Sequence, residues 1–168
     1  MNNITINSNS NDIKEMEKLF PRAPLKIIAM EGCKELGQKV NDYIVNFRQS
    51  SYREELKSPM YATYLQDNYL VDAHCPRFGS GEAKGVLNES VRGKDLFIMT
   101  DVCNYSLTYS VNGYVNHMSP DDHYQDLKRM IAAANGKARR ITVIMPFLYE
   151  SRQHRRTARE SMDCALAL

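Results

Sequence analysis

The chain has 168 residues, of which 43% are apolar and 25% are charged, and its formal net charge is +2. This length and composition are typical of a globular protein with one hydrophobic core. The net charge is too small to indicate nucleic-acid binding by itself. No apolar stretch approaches the roughly 20 residues that cross a bilayer. We therefore expect neither a nucleic acid nor a membrane as partner.

Cysteine usage and the N-terminus indicate a cytoplasmic location. The four cysteines lie far apart and form no CxxC pair, as is usual for reduced and mostly buried thiols. They are Cys33, Cys75, Cys103 and Cys164. The first twelve residues lack the basic start and the apolar core of a signal peptide. We expect a cytoplasmic protein.

The N-terminal part of the chain predicts an unstructured start followed by a strand and a helix. Residues 1–12 are rich in Asn and Ser and are predicted to be disordered. Residues 13–20 predict a short helix that Pro21 ends. The apolar run 25–30 predicts a buried strand. Apolar residues at helical spacing over 34–48 predict an amphipathic helix, so strand, tight turn and helix begin a βαβ unit.

The middle of the chain predicts two strands joined by a turn, and then a buried strand. Residues 69–75 have the pattern of a strand, FGSGE at 78–82 that of a turn, and 83–88 that of a returning strand. The run DLFIMT at 95–100 predicts a buried strand. Residues 101–118 are rich in Asn, Ser and Tyr and are predicted to be a long connection, of a length that is usually functional or mobile.

The last third of the chain predicts a helix, a strand and a second helix. Ser119, followed by a proline and two acids, is a favourable helix start. Apolar spacing continues this helix to Asn135-Gly136, which ends it. The run ITVIM at 141–145 predicts a third core strand. Residues 159–168 again have helical spacing, and the chain ends there without a cap, which suggests a truncated protein.

Strands that alternate with helices predict an α/β domain with a largely parallel sheet. We assign this domain to 25–168 and treat 1–24 as an extension. Ligands of such sheets bind at the C-terminal ends of the strands. The loops after Thr100 and after Met145 are therefore the first places to expect a binding site.

A basic loop follows the third predicted strand. Guanidinium groups match phosphate oxygens in pairs, and Gln153 can bond a base edge or a phosphate. The arginines that crowd the last thirty positions are Arg139, Arg140, Arg152, Arg155, Arg156 and Arg159. This cluster favours an anionic ligand. On composition alone, a solvated basic loop remains an alternative.

The turn 78–82 combines an aromatic residue, two glycines and an acid. An aromatic ring can stack on a base, and a glutamate can accept a hydrogen bond from an exocyclic amine. The spacing matches neither a Walker loop nor a dinucleotide fingerprint. An ordinary hairpin turn therefore remains an alternative. Ser90 and Arg92, just before the strand 95–100, could bind a phosphate.

The histidines and the acidic residues predict no metal or catalytic constellation. No histidine has metal-ligand spacing with a second His or Cys. The histidines are His74, His117, His123 and His154. Asp121, Asp122 and Asp126 are interpreted as helix-start residues rather than as paired catalytic acids. No Ser-His-Asp or Cys-His arrangement can be assigned.

Three segments, in this order, resemble ribose-phosphate pyrophosphokinases. RFGSGEAKGVLNESVRGKDLFIM is similar to the family's turn of phenylalanine, acid and glutamate, followed by ESVRG and a strand. DDHYQDLKRMIAAANGKARRITVIMPFLYESRQHRR resembles the family's helix, strand and ARQD(R/K) loop. ARESMDCALAL resembles the start of the next helix. The resemblance covers 25–34 and 76–168.

The resemblance implies an α/β fold of the type I phosphoribosyltransferase-like class, with a mainly parallel sheet flanked by helices. It implies two such domains per full subunit and a homo-oligomer. The implied reaction transfers the pyrophosphate group of ATP to the 1-hydroxyl of ribose 5-phosphate, with Mg²⁺. The metal ligands are expected mostly outside this chain.

Particular residues receive implied roles from the same resemblance, and no catalytic residue is among them. The residues implied in ATP binding are Phe78, Ser80, Glu82, Arg152, Gln153 and His154, the first three within the adenine site of a neighbouring subunit. The residues implied in holding a regulatory phosphate or ADP are Ser90, Arg92 and Arg159.

Two positions depart from the family's pattern. Ser80 replaces an Asp or Asn, and His154 replaces the Asp that follows Arg-Gln. The loop to Arg159 is one residue shorter. These changes predict a divergent branch in which the arginine loop binds phosphate with a changed geometry.

Three functional readings follow from the sequence. In the first, the chain is the ATP-side half of a pyrophosphokinase and is inactive alone, since the family's pentose-binding loop would lie beyond position 168. In the second, it is a non-catalytic truncated or regulatory homologue that binds nucleotide or phosphate, or that assembles with full-length subunits. In the third and weakest, 139–159 binds nucleic acid, with an affinity that falls steeply with salt.

Overall fold

The computed structural model describes residues 23–50 and 63–167. The strands are β1 Leu25–Ala29, β2 Ala73–His74, β3 Val86–Leu87, β4 Asp95–Met99, β5 Thr108–Val111, β6 Tyr114–His117 and β7 Arg140–Ile144. The helices are α1 Lys34–Ser50, α2 Pro120–Ala134 and α3 Asp163–Ala167, with a 3₁₀ turn at Glu31–Cys33 before α1. The predictions for 1–12 and 13–20 lie outside the described residues.

The central sheet is parallel and has the strand order β1-β4-β7. Ile28 pairs with Ile98, and Ile98 pairs with Val143, so the three strands run in register. All three are short apolar runs, the pattern expected for strands of a parallel sheet. The predicted α/β class and parallel sheet are confirmed.

Alternate residues of the central strands pack against different helices. Ile28, Leu96 and Ile98 lie in a core cluster with Leu127 and Met130 of α2. Their neighbours Ile27 and Met99 lie in a second cluster, against which Val40 and Ile44 of α1 pack. Because side chains alternate across a strand, α1 and α2 cover opposite faces of the sheet.

Helix α1 approaches β1 closely because it carries a glycine at the contact. A Cβ added at Gly37 would lie 2.4 Å from the Cβ of Ala29. The predicted helix 34–48 is confirmed and extends to Ser50.

The start and end predicted for helix α2 are confirmed. The Ser119 hydroxyl accepts a hydrogen bond from the Asp122 backbone N–H at 3.1 Å, and the Asp122 carboxylate accepts one from the Ser119 N–H at 2.9 Å. Such a capping box stabilises a helix by about 1 kcal/mol. At the other end Asn135 has φ 49°, a left-handed conformation that closes the helix.

The prediction that 101–118 is a long connection was wrong. This segment contains the antiparallel hairpin β5–β6, with Val111 paired to Tyr114. Asn112 and Gly113 have φ of 51° and 86°, as a two-residue type I′ turn requires. The sequence signal for this hairpin was the Asn112-Gly113 pair, which is typical of two-residue hairpin turns. The flanking strands are short and polar, so their alternation is weak.

The predicted strand 69–75 divides into two pairings. The Ile27 N–H donates to the Tyr69 carbonyl and the Val71 N–H donates to the Ile27 carbonyl, both at 2.8 Å, so 69–71 runs beside β1. The chain then turns away, and β2 pairs antiparallel with β3. The predicted returning strand 83–88 is therefore reduced to β3.

Two predictions near the C-terminus need correction. β7 begins one residue earlier than predicted, and Val143 and Ile144 are 38% and 39% exposed, so it is not a fully buried core strand. Helix α3 is shorter than the predicted 159–168. The helix begins only at Asp163, and 157–159 is a bend after which the Glu160 carboxylate accepts bonds from the Thr157 N–H and hydroxyl at 3.1 and 2.9 Å.

Candidate functional site

The turn 78–82 is a closed hairpin turn with exposed side chains. The Phe78 N–H donates to the Glu82 carbonyl at 2.7 Å, and the Gly81 N–H donates to the Phe78 carbonyl at 2.9 Å. Gly81 has φ 91°, which only glycine adopts readily. The Ser80 hydroxyl donates to the Glu82 carboxylate at 2.9 Å, and Phe78 is 52% exposed. The turn is therefore closed by its own backbone hydrogen bonds, while the side chains of Phe78, Ser80 and Glu82 are exposed.

A cleft of about 380 Å³ lies between this turn, the β5–β6 hairpin and helix α2. Its lining combines carboxylate, guanidinium, amide, hydroxyl and aromatic groups. The lining residues include Ser80, Glu82, Tyr109, Asn116, Gln125 and Arg129. Hydrogen-bond donors and acceptors beside an aromatic ring suit a flat polar heterocycle better than a bare anion.

A network of charged side chains connects lining residues of the cleft through the buried Asp126. Arg77 donates to the Asp126 carboxylate at 2.8 Å, and Arg129 donates to the other oxygen of the same carboxylate at 2.6 Å. Asp122 lies 3.8 Å from the Arg77 guanidinium. The four side chains carry two positive and two negative charges, so the network is neutral as a whole.

The interpretation of Asp126 as a helix-start residue was wrong. Asp121 and Asp122 do lie in the first turn of α2, but Asp126 lies further along the helix and is 4% exposed. Asp126 is instead the buried partner of Arg77 and Arg129, and both of these arginines line the cleft. Sequence reasoning did not single out Arg77 or Tyr109 either. A buried arginine is recognisable only from its partners.

A second depression of about 420 Å³ lies within the loop after β7. Its lining residues are Arg152, Gln153, His154, Arg155, Thr157 and Glu160. Hydrogen bonds from Thr157 lower the pKa of Glu160 below its ordinary value. The two arginines, with one carboxylate among them, suit a ligand that carries more than one negative charge.

The base of this loop is attached to the start of helix α2. The ring of Tyr149 stacks on that of Tyr124 with centroids 4.2 Å apart and planes at 4°. The Tyr149 hydroxyl donates to Asp121 at 2.6 Å. This hydrogen bond raises the pKa of Tyr149 far above its ordinary value, because loss of the proton would place two negative charges together.

The residues predicted to bind ATP occupy separate places in one chain. Ser80 and Glu82 line the first cleft, and Phe78 lies on the same turn. Arg152, Gln153 and His154 line the second depression. The loops after β4 and β7 do follow the C-terminal ends of parallel strands, as expected. The binding roles themselves stay predictions.

The residues predicted to hold a regulatory phosphate are also divided. Ser90 and Arg92 precede β4, and the Arg92 N–H donates to the Ser90 hydroxyl at 3.3 Å. Arg159 lies in the loop after β7, beyond the opposite end of the sheet. In the part of the chain that the structure describes, no hydrogen bond or ion pair joins Arg159 to the other two. Their common role stays a prediction.

Two histidines have local structural contacts. A ring nitrogen of His123 lies 2.8 Å from the Asn104 carbonyl, and one of His117 lies 2.8 Å from the Tyr105 carbonyl. These contacts attach the loop after β4 to α2 and to β6. Among residues 23–50 and 63–167, no group of three or more His, Cys, Asp or Glu side chains could hold a metal. Nor is any helix in these ranges long and apolar enough to cross a bilayer.

Comparison with known proteins identifies the family. Residues 25–168 match a family model described as the N-terminal domain of ribose phosphate pyrophosphokinase. The chain belongs to this family. The resemblance of the quoted segments to ribose-phosphate pyrophosphokinases is thereby confirmed.

Ribose-phosphate pyrophosphokinases of several organisms align with part of the chain. Identity is 34% over 103 residues with the Vibrio parahaemolyticus protein, covering 59% of this chain and 28% of that one. It is 33% over 97 residues with the Maricaulis maris protein, covering 57% and 26%. Ribose-phosphate pyrophosphokinase B of Dictyostelium discoideum is 30% identical over 92 residues, covering 54% and 24%. The chain thus spans about a quarter of the length of these relatives.

A solved structure has the same fold. The crystal structure of phosphoribosylpyrophosphate synthetase from Mycobacterium smegmatis aligns with a TM-score of 0.55 and 21% identity. The alignment covers 85% of this chain and 37% of that one. The expected phosphoribosyltransferase-like fold is confirmed.

Proposed function

We propose that this chain forms the ATP-binding part of a ribose-phosphate pyrophosphokinase, which transfers pyrophosphate from ATP to ribose 5-phosphate. The observation that carries the proposal is a pair of depressions within the residues that match the family model. The polar cleft beside the turn 78–82 suits a purine, and the separate arginine-lined loop suits phosphates. ATP has both parts.

Different side chains are proposed to contact the base and the phosphates of ATP. The exposed ring of Phe78 can stack on the base, and Glu82 can accept from the exocyclic amine of adenine. Arg152 can bond phosphate oxygens in pairs, and Gln153 can donate to a phosphate. The Ser80 hydroxyl donates to Glu82 at 2.9 Å, so it orients the carboxylate that would meet the base.

The separation of the two places supports a homo-oligomer as the binding form. Within one chain the turn and the arginine loop line different depressions. We propose that one ATP contacts the turn of one subunit and the loop of another. This arrangement would make nucleotide affinity depend on assembly.

Mg²⁺ is proposed to accompany the triphosphate, where it would neutralise phosphate charge. As the family resemblance implies, the metal ligands are expected mostly outside this chain. The proposed contribution of this chain is to orient the nucleotide and to neutralise phosphate charge through arginine. The cytoplasmic location and the binding of ribose 5-phosphate are parts of the same proposal.

The 168-residue chain is expected to bind ATP without transferring its pyrophosphate. It spans only about a quarter of its relatives, and none of its motifs is assigned to the pentose. Formation of phosphoribosyl pyrophosphate from ATP and ribose 5-phosphate by the purified chain would refute this part of the proposal.

The first prediction concerns the arginine loop. Arg152→Ala should weaken ATP binding by about tenfold or more, since a charge-assisted hydrogen bond contributes about 1.5–3 kcal/mol. Isothermal titration calorimetry of the purified chain measures this change. Arg139→Ala is the matched control, because Arg139 is also exposed but precedes β7 at the opposite end of the sheet. Equal losses in the two variants would contradict the proposal.

A non-catalytic nucleotide-binding homologue is the second candidate. It is favoured by Ser80 and His154, which replace residues typical of the family. Both candidates predict ATP binding by this chain. They differ in the longer protein: the enzyme forms phosphoribosyl pyrophosphate when the open reading frame continues beyond Leu168, and the regulatory homologue does not.

A further inference from the structure

The charged side chain of Arg77 is largely buried. Its side chain is 11% exposed, and that of its partner Asp126 is 6% exposed. Taking charges out of water is costly, and a buried ion pair often contributes no more stability than an apolar replacement of similar size. Stability alone therefore does not account for an arginine at this place. The geometry of the guanidinium accounts for the arginine, because its N–H groups donate to several acceptors in fixed directions.

The guanidinium of Arg77 joins three separate parts of the structure. One nitrogen donates to the Gly81 carbonyl within the turn 78–82 at 3.1 Å. The other donates to Asp126 of helix α2 at 2.8 Å. Its central carbon lies 4.6 Å from the ring centroid of Tyr109 in the β5–β6 hairpin, within the range of a cation–π interaction. One side chain thus connects the turn, the helix and the hairpin.

The turn and the hairpin also touch each other at this point. A Cβ added at Gly81 would lie 3.3 Å from Val111 and 3.8 Å from Tyr109 of the hairpin. The Tyr109 hydroxyl lies 3.4 Å from Asp122 of α2. The turn, the hairpin and helix α2, which line the cleft, are therefore also in contact without Arg77.

We infer that Arg77 is a positioning residue, which holds the turn 78–82 and the β5–β6 hairpin in one orientation so that Ser80 and Glu82 present a defined edge to a purine base. The inference rests on the proposed function. Arg77 is not proposed to touch the nucleotide. It acts through the Gly81 carbonyl on the backbone that carries Ser80 and Glu82.

Two substitutions separate the geometry of Arg77 from its charge. Arg77→Met keeps much of the length and removes the charge, and Asp126 then keeps Arg129 as a partner at 2.6 Å. Arg77→Lys keeps the charge but lacks the fork that reaches Gly81 and Asp126 together. Arg140→Met is the matched control, since Arg140 pairs with Asp95 at 2.5 Å at the first residues of β7 and β4, away from the cleft. Unfolding midpoints compare the folding of all three variants.

The first measurement follows the turn directly. The chain has no tryptophan, so Phe78→Trp introduces a single fluorescent reporter on the turn. In that background we expect Arg77→Met to lower the steady-state anisotropy of the indole, Arg77→Lys to restore part of it, and Arg140→Met to leave it unchanged. An anisotropy that Arg77→Met leaves unchanged would overturn the inference, whether or not ATP binds.

The second measurement follows recognition of the base, without the reporter substitution. Calorimetry compares ATP with inorganic tripolyphosphate, which has the phosphates but no base. We expect Arg77→Met to reduce the preference for ATP over tripolyphosphate by about tenfold, the effect of about 1.4 kcal/mol, while the affinity for tripolyphosphate stays within about twofold. Arg77→Lys should recover part of the preference.

The outcomes distinguish this inference from the proposed function. Equal losses for ATP and tripolyphosphate would indicate a general structural effect and would overturn the positioning role. If Arg77→Met is too unstable to purify, the affinities of Arg77→Lys for ATP and for tripolyphosphate are compared with those of the wild-type chain. Equal losses for the two ligands would again overturn the positioning role. A wild-type chain that fails to bind ATP would overturn the proposed function and the base-recognition role together, whereas the anisotropy measurement still tests whether Arg77 holds the turn.

Discussion

Two side chains of one short segment contact Asp126. Arg77 bonds its carboxylate, and the Cys75 thiol lies 3.8 Å from its backbone carbonyl. Burial raises the pKa of Cys75 from 9.0 to about 11, with a further contribution from the negative charge of Asp126. The thiol therefore stays protonated in the folded chain at pH values where a solvated cysteine ionises.

This shift predicts a pH dependence of stability. The folded-state pKa of Cys75 lies above the unfolded-state value, so its stabilising contribution is complete below about pH 9 and is lost as the pH rises to about 11. Urea unfolding at pH 8, 9 and 10.5 should show a smaller alkaline loss in Cys75→Ala than in the wild-type chain. Cys103→Ala, at an exposed position, serves as the control and should behave like wild type. An identical loss in both variants would contradict the prediction.

At the scale of elements, the segment between the turn 78–82 and β3 lies close against helix α2. A Cβ added at Gly85 would lie 2.5 Å from the Arg129 carbonyl oxygen and 3.1 Å from the Met130 nitrogen. Both atoms belong to the helix backbone, which cannot move aside as a flexible side chain would. Gly85 thus allows the segment after the turn 78–82 to lie directly on the helix that carries Asp126.

Gly85→Ala is predicted to destabilise the chain by about 1–3 kcal/mol, because an added methyl group forces the strand away from the helix. The free energy of unfolding in urea measures the change. The control is Gly79→Ala, since a Cβ at Gly79 meets nothing within 4 Å and should change stability by less than about 1 kcal/mol. A Gly85→Ala variant as stable as Gly79→Ala would refute the close approach.

For the whole molecule, the parallel sheet places loops with different chemistry at the same end. The loop after β4 leads into the hairpin that lines the cleft, and the loop after β7 carries the arginines. Tyr149 attaches the second loop to α2 through Asp121 and Tyr124. Helix α2 therefore lines the first depression and contacts the base of the loop that forms the second, so a nucleotide that binds this chain should stabilise the domain as a unit.

We predict that ATP raises the thermal stability of the purified chain. At about 100 times its dissociation constant, a ligand that binds only the folded state adds about 2.7 kcal/mol, which corresponds to about 5–10 °C for a chain of this size. GTP at the same concentration should give a smaller shift, since Glu82 would meet a carbonyl in place of an amine. Differential scanning calorimetry measures both. Equal shifts would contradict recognition of adenine.

The sequence by itself determined the elements whose signals are local. The apolar runs of β1 and β4, the helical spacing of α1 and the Ser119 cap of α2 all depend on residues a few positions apart, so they could be read without the fold. The three segments that resemble ribose-phosphate pyrophosphokinases likewise indicated the family that the comparison confirms. The β5–β6 hairpin also had a local signal in Asn112-Gly113, which its short polar strands obscured.

Only the tertiary structure decided which distant residues meet. Arg77 and Asp126 are 49 positions apart, and neither residue type predicts burial, because each is buried only when its partner is. The same holds for the division of the expected ATP-binding residues between two depressions, which depends on where the turn 78–82 packs against α2. Local patterns specify strands, helices and motifs, whereas the charged network of the cleft exists only through contacts between segments that are distant in the chain.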